Sequence, residues 1–160
     1  MSDSLLAEGN VRLGWAPLTV WLVVNAVNVL QSAGFISRVI TRSMAINHAL
    51  GYVILALGIP SALALGALLY GRVPWLEWIG PAAFLCFIAF MVFVDYILSI
   101  DFRSPGRSDI LVPYLVLFFG SIILMGLPMF RLNRNLWFVT VATSLLLIAS
   151  MALAMLRGMS

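Results

Sequence analysis

Residues 78–100 read WIGPAAFLCFIAFMVFVDYILSI, and this stretch decides the fold class. Asp95 is its single charged residue, and most of the remainder is apolar. At a rise of about 1.5 Å per residue, a helix of this length crosses the ~30 Å hydrocarbon core of a bilayer. The segment therefore predicts a membrane-spanning α-helix.

The composition of the whole chain also indicates that much of its surface faces lipid. Of the 160 residues, 63% are hydrophobic and 9% are charged, and the mean hydropathy is +1.10. Soluble domains are roughly 45–50% apolar and about 25% charged, so a soluble protein of this size has too little interior to hide so much apolar surface. The length predicts one transmembrane domain, residues 1–160.

Four further apolar runs have a similar length and are separated by short polar connections. Short connections make neighbouring helices antiparallel, which predicts an all-α, polytopic membrane protein with five transmembrane helices in up-down order. No internal repeat supports an inverted-repeat transporter. The predicted helices cover residues 15–36, 44–70, 78–100, 110–130 and 135–156.

The placement of tryptophan supports five crossings independently. On an alternating path, Trp15, Trp75, Trp78 and Trp137 all fall at the end of the bundle that carries the N-terminus, which we call the tryptophan end. Tryptophan favours the membrane interface, where its ring is buried and its N–H is hydrated. Removing any one crossing would scatter these residues between the two ends.

The placement of arginine sets the expected orientation. All nine basic residues are Arg, with four at the tryptophan end and five at the opposite end. Because basic loops favour the cytoplasm, we expect a multi-pass protein of the cell membrane with its N-terminus outside and its C-terminus inside. The arginines are scattered among short loops rather than clustered, so we expect no nucleic-acid partner.

Polar side chains recur along one face of the first predicted helix. Asn25, Asn28 and Ser32 are three and four residues apart. Amides are costly to bury in hydrocarbon without partners, so this face must meet polar groups. The stripe predicts either hydrogen bonds to another helix or the lining of a pathway or ligand site.

A second group of polar residues is expected at the end opposite the tryptophans. Asp95 lies well inside an apolar run, and such a carboxylate is either functional or part of a structural ion pair or hydrogen bond. We expect a polar vestibule here, suited to a lipid headgroup, a small ligand, proton-coupled chemistry or a docking surface. Its candidate residues are Asn25, Asn28, Ser32, His48 and Asp95, with Arg38, Arg42, Arg103 and Arg107 around the opening.

Small residues in the second predicted helix indicate close packing. Gly58, Ala62 and Gly66 are four residues apart, which predicts a groove that another helix approaches, within the molecule or from a partner. Pro60 lies in the same stretch and removes a backbone hydrogen bond, so a kink is predicted there.

Motifs of enzymatic chemistry are missing from the sequence. No nucleophile elbow, zinc-protease motif or phosphate-binding loop occurs, and the single histidine leaves little room for acid–base catalysis. The single cysteine cannot form a disulfide within the chain, and we expect no cofactor or metal.

These patterns favour a non-enzymatic membrane protein that acts by association. It would be an accessory subunit or a binder of a lipid-like ligand, with membrane lipids, another membrane protein or a second copy as partner. One alternative is a small oligomeric transporter or channel that uses Asp95 and the amides of the first helix. The other is a lipid-modifying membrane enzyme that uses Asp95 with Arg103 and Arg107.

Overall fold

The computed structural model describes residues 14–41, 45–98 and 108–157. Within these ranges there is no strand, and five helical segments are long and apolar enough to cross a membrane. The prediction of an all-α bundle with five transmembrane helices is confirmed. The five spans are Trp15–Thr41, Ala49–Tyr70, Trp75–Asp95, Asp109–Leu132 and Arg134–Leu156.

Proline residues divide two of these spans, so the helices are more numerous than the crossings. A π-helical segment of six residues follows the helix of the third span. The elements are α1 (Trp15–Thr41), α2 (Ala45–Ala56), α3 (Gly58–Tyr70), α4 (Trp75–Met91), the π-helical segment (Val92–Ile97), α5 (Ser108–Gly126), α6 (Met129–Leu132) and α7 (Arg134–Leu156).

The second span is interrupted at Leu57, between α2 and α3. Pro60 follows three residues later and has no N–H to donate to the carbonyl of Ala56. The hydrogen-bond ladder resumes at once, because the Ser61 N–H bonds to the Leu57 carbonyl at 3.3 Å. The predicted single helix 44–70 is therefore two helices, and the interruption lies where the kink was predicted.

The fourth span was predicted as one helix over residues 110–130. In the structure α5 ends at Gly126, and a corner containing the short helix α6 follows. Pro128 is the N-cap residue of the short helix α6, directly before Met129, a position where its missing N–H costs nothing. Asn133 then caps α7, and its Oδ1 accepts the N–H groups of Asn135 at 3.1 Å and Leu136 at 3.2 Å. The cap fixes the start of α7 directly after α6.

The first and third spans also differ from their predicted bounds. α1 continues to Thr41 rather than ending at residue 36, and α4 begins at Trp75, directly after Pro74. Beyond α4, the Leu98 N–H bonds to the Phe93 carbonyl five residues back at 2.9 Å, which is the π-helical pattern.

α1 is the central element of the bundle. It packs against α7, α3 and α2. Of the 18-residue apolar stretch in this span, 44% is buried inside the bundle, against 22–33% in the other four spans. One small pocket is lined by residues from four spans: Pro17 and Glu77 near the starts of α1 and α4, and Leu68 and Met129 near the ends of the second and fourth spans. These starts and ends therefore lie together at one end of the bundle. The spans therefore alternate in direction.

Within the chain, the small residues predicted as a groove do not form one packed face, and the approach of a partner helix to this face stays a prediction. A Cβ on Gly58, which is buried, would touch Ile88 of α4 at 3.7 Å. Ala62 and Gly66 are exposed, and a Cβ on Gly66 would meet nothing within 4 Å. α3 instead packs inward through a face displaced around the helix, which holds Gly58, Ser61, Ala64 and Leu68.

Candidate functional site

Polar side chains of α1 and α7 form a hydrogen-bonded ladder inside the bundle, made of Asn25, Asn28, Thr140, Thr143 and Ser144. Asn25 Nδ2 donates to Thr140 Oγ1 at 3.2 Å, and Thr143 Oγ1 donates to Asn25 Oδ1 at 2.7 Å. Asn28 Nδ2 donates to Thr143 Oγ1 at 3.1 Å and to Ser144 Oγ at 3.0 Å. Each amide therefore bonds to α7.

Trp21 extends this contact toward the tryptophan end. Its Nε1 donates to the Leu136 carbonyl in the first turn of α7 at 2.9 Å. This pair and the ladder pairs are separated by 115 to 118 residues, a nearly constant offset that requires α1 and α7 to run parallel. With an odd number of alternating spans, the first and last run in the same direction. The polar contact therefore joins the first span to the last as parallel neighbours.

The polar stripe predicted on the first helix is thus an interhelical contact. Asn28 is fully buried, and Ser32, which is 2% exposed, donates to the Asn28 carbonyl of its own helix at 2.7 Å. Hydrogen bonds between helices, one of the two alternatives drawn from the sequence, are therefore present for Asn25 and Asn28, and a ligand site on this face stays a prediction.

Of the remaining vestibule candidates, only the side chains of Asp95 and Arg38 lie in the described part of the structure, so the vestibule stays a prediction. Asp95 lies in the π-helical segment, at the end of a span that packs on α5 and α3, whereas Asn25 and Asn28 face α7. Asp95 and Arg38 each make a polar or ring contact. The His48 side chain and the residues Arg42, Arg103 and Arg107 lie outside the described part of the structure.

An apolar cleft of about 270 Å³ lies between α5 and α7, in the half of the bundle nearest the tryptophan end. α7 packs mainly against α1 and touches α5 only slightly, which leaves this space between them. The side chains at its rim are well exposed, so the cleft opens toward lipid. Its lining includes Phe119, Ile123 and Leu127 on one side and Trp137, Val141 and Leu145 on the other.

The polar ladder explains why the cleft is apolar. Thr140 and Ser144 belong to the lining, yet the hydroxyl oxygen of each accepts a hydrogen bond from an amide of α1. The Thr140 methyl group turns toward α5, where a Cβ on Gly126 would lie 3.1 Å from it. The polar atoms thus serve the α1–α7 contact, and hydrocarbon is left to face the cleft.

Two arginines lie beside the end of the cleft at the tryptophan end. Arg131 in α6 and Arg134 at the start of α7 are exposed and belong to the connection between the lining residues Leu127 and Trp137. The Arg134 guanidinium carbon lies 5.5 Å from the centre of the Phe130 ring, which in turn packs edge-on against Trp137 with ring centres 5.2 Å apart. This stack places a cation next to the cleft wall.

Sequence reasoning did not predict this cleft. Arg131 and Arg134 served only to predict the orientation of the chain in the membrane. The stretch FRLNRNLW nevertheless places both arginines between aromatic residues at a helix boundary. That pattern is a signal for an interfacial cation site, because aromatic rings and arginine side chains both favour the headgroup region.

The fold and the cleft define the chain as a multi-pass helical membrane protein. Comparison with models of protein families, with curated proteins and with solved structures finds no match.

Proposed function

We propose that this chain is a non-enzymatic membrane protein that binds the acyl chain of a lipid-like ligand between α5 and α7. The observation that carries this proposal is the apolar cleft of about 270 Å³ that opens toward lipid. Sites for drug-sized ligands measure roughly 300–1,000 Å³, so a cleft slightly below that range suits one hydrocarbon chain rather than a bulky ring system.

The physical source of binding differs from that in a soluble protein. A lipid chain leaves an environment as apolar as the cleft, so no hydrophobic transfer energy favours the bound state. The gain comes from closer packing against Phe119, Ile123 and Trp137, through many weak dispersion contacts. Binding by the chain alone is therefore modest, and selectivity must arise at the polar end of the ligand.

Fluorescence quenching by lipids with brominated acyl chains tests the proposal, because Trp137 lines the cleft. Replacing Trp15, Trp75 and Trp78 by Phe leaves Trp137 as the reporter beside Trp21. Adding Trp137→Phe to this background isolates the Trp21 signal for subtraction. At a low mole fraction of brominated lipid, we expect Trp137 to be quenched beyond the statistical occupancy of lipid sites.

Boundary lipid gives the reference level for this measurement. A second background that keeps Trp75 in place of Trp137 reports ordinary lipid contact, because Trp75 is 63% exposed at the start of α4. Equal quenching of the two reporters would refute the proposed function.

A pair of matched variants locates the bound chain. Val141→Phe with Leu145→Phe adds ring volume to the α7 wall of the cleft, whereas Ala142→Phe with Leu146→Phe adds it on the neighbouring exposed face. We expect the first double variant to abolish the excess quenching of Trp137 and the second to retain it. Helicity and monodispersity in detergent show that both remain folded.

Native mass spectrometry separates lipid binding from an accessory role. Protein extracted gently from its own membranes should retain a lipid that the cleft-filling variant loses. A different protein in stoichiometric amount, with no retained lipid, would favour the accessory subunit instead.

A small transporter or channel is the second candidate, favoured by the position of Asp95. This carboxylate lies in the π-helical segment, and such segments are frequent at functional sites. Asp95→Asn removes the charge with little change in shape, so it should abolish proton or ion flux into protein-containing vesicles. Flux that persists in this variant would exclude Asp95 as the transport residue.

The proposed orientation places the tryptophan end outside the cell and the C-terminus in the cytoplasm, as the arginine distribution favours. Cysteine labelling in intact cells tests it in a Cys86→Ser background. A membrane-impermeant reagent should label Tyr70→Cys, an exposed residue at the tryptophan end, and should reach Arg157→Cys only after permeabilisation. The reverse pattern would invert the assignment.

A further inference from the structure

We infer that the ligand of this cleft is an anionic phospholipid whose phosphate is held by Arg131 and Arg134, with its acyl chain running between α5 and α7. This inference rests on the proposed function and names the chemical class of the ligand. Three observations support it: the position of the two cations, their lack of acidic partners among the described residues and the volume of the cleft.

The two arginines are positioned where a headgroup would emerge from the cleft. They flank Asn133, whose side-chain cap holds the corner between α6 and α7. Leu127 and Trp137, on either side of this corner, both line the cleft. A chain lying between them therefore brings its polar end to the corner that carries both guanidinium groups.

Among the residues that the structure describes, the charges at this corner have no counterion. Neither Arg131 nor Arg134 forms an ion pair with any carboxylate of the described ranges, and Arg134 is instead supported by the Phe130 ring. Glu77 is the one acid described at the tryptophan end, where Arg72 is a third cation. Guanidinium groups bind phosphate through paired N–H donors, so this local excess of positive charge complements a lipid phosphate.

The volume of the cleft favours a lipid over a transmembrane helix of a partner. A helix with its side chains is about 10–12 Å across and would need several times the volume of about 270 Å³ that the cleft offers. A single hydrocarbon chain is much thinner. The paired cations also have no role in a purely apolar helix contact, whereas an anionic lipid uses both the cleft and the charges.

The experiment compares brominated phosphatidylglycerol with brominated phosphatidylcholine in the Trp137 reporter background. At low ionic strength we expect the anionic lipid to quench Trp137 with an apparent affinity on the order of fivefold or more above the zwitterionic lipid, since each surface arginine adds attraction of that size. Salt should reduce the preference because it screens exposed charges. Glycerol phosphate in solution should not compete, because it lacks the chain.

Charge-neutral variants locate the headgroup site. Arg131→Gln with Arg134→Gln should bring phosphatidylglycerol to the level of phosphatidylcholine, and it should weaken phosphatidylcholine less, because choline offsets the charge of that lipid's phosphate. Arg72→Gln is the matched control, since it removes a cation at the same end but in the α3–α4 turn, and it should retain the preference.

Failure of the inference differs from failure of the proposed function. Excess Trp137 quenching that is equal for both lipids, or a preference that survives in the double arginine variant, overturns the anionic assignment and leaves chain binding intact. Competition by glycerol phosphate would assign the arginines to a soluble phosphate and also overturn it. Loss of excess quenching with every lipid refutes both the inference and the function on which it rests.

Discussion

Gly80 in α4 lies directly against the main chain of Leu124 in α5. A Cβ at position 80 would fall 2.7 Å from the carbonyl carbon of Leu124 and 2.8 Å from its oxygen, closer than real Cβ contacts come. The obstacle is backbone, which cannot rotate away as a side chain can. The closest approach of the third and fourth spans therefore depends on glycine at this position.

Replacement of this glycine should separate the two helices. We expect Gly80→Ala to lower the unfolding free energy by about 1–3 kcal/mol, the usual cost of forcing extra atoms into a packed contact. Gly66→Ala is the control, because a Cβ there meets nothing within 4 Å and alanine is the better helix former. Denaturation in mixed micelles measures both, and equal stability of the two variants would contradict the packing described for Gly80.

Thr143 joins the two amides of the polar ladder. Its hydroxyl donates to Asn25 Oδ1 and accepts from Asn28 Nδ2, so Thr143→Val breaks two contacts while keeping the side-chain shape. Interhelical hydrogen bonds in membranes contribute about 0.6 kcal/mol on average, and we expect a loss of about 1–2 kcal/mol. Thr143→Ser should restore most of it. Equal stability of the Val and Ser variants would show that the hydroxyl contributes nothing.

Replacing Asn25 should destabilise the protein more than replacing Asn28, although Asn28 is the more deeply buried of the two. Both polar atoms of Asn25 have partners on α7, whereas Asn28 Oδ1 is buried with no hydrogen-bond partner in the described part of the chain. Asn28→Leu relieves an unsatisfied acceptor, so part of its loss is offset. We expect Asn25→Leu to destabilise more, by about 1 kcal/mol, in micelle denaturation. The opposite order would indicate that Asn28 Oδ1 is hydrated.

Arg72 has a positive φ of 51° in the turn between α3 and α4. This left-handed backbone is unfavourable for a residue with a Cβ and free of strain for glycine. Arg72→Gly should therefore raise the unfolding free energy by up to about 1 kcal/mol. Arg72→Ala separates backbone from side chain: a similar gain in both variants would mean that removal of the arginine charge, rather than relief of φ, is the cause.

The sequence by itself determined the five spans, their approximate bounds, the alternating path, the tryptophan end and the interruption near Pro60. These features follow from local rules. Each crossing needs about twenty apolar residues, each helix satisfies its own backbone hydrogen bonds, and a proline removes one of them wherever it occurs. It also indicated that Asn25 and Asn28 require polar partners, which is a property of the amide group itself.

Only the tertiary structure decided which partners those are, which glycine meets a backbone and where the cleft lies. Several helices carry hydroxyl groups, and Gly66 and Gly80 cannot be told apart by composition. In a soluble protein, alternation of apolar and polar residues shows which face of a helix is buried. In a membrane most helix faces are apolar, so apart from the polar stripe of α1 the rotation of each helix, and hence the position of the cleft, is set by packing between spans.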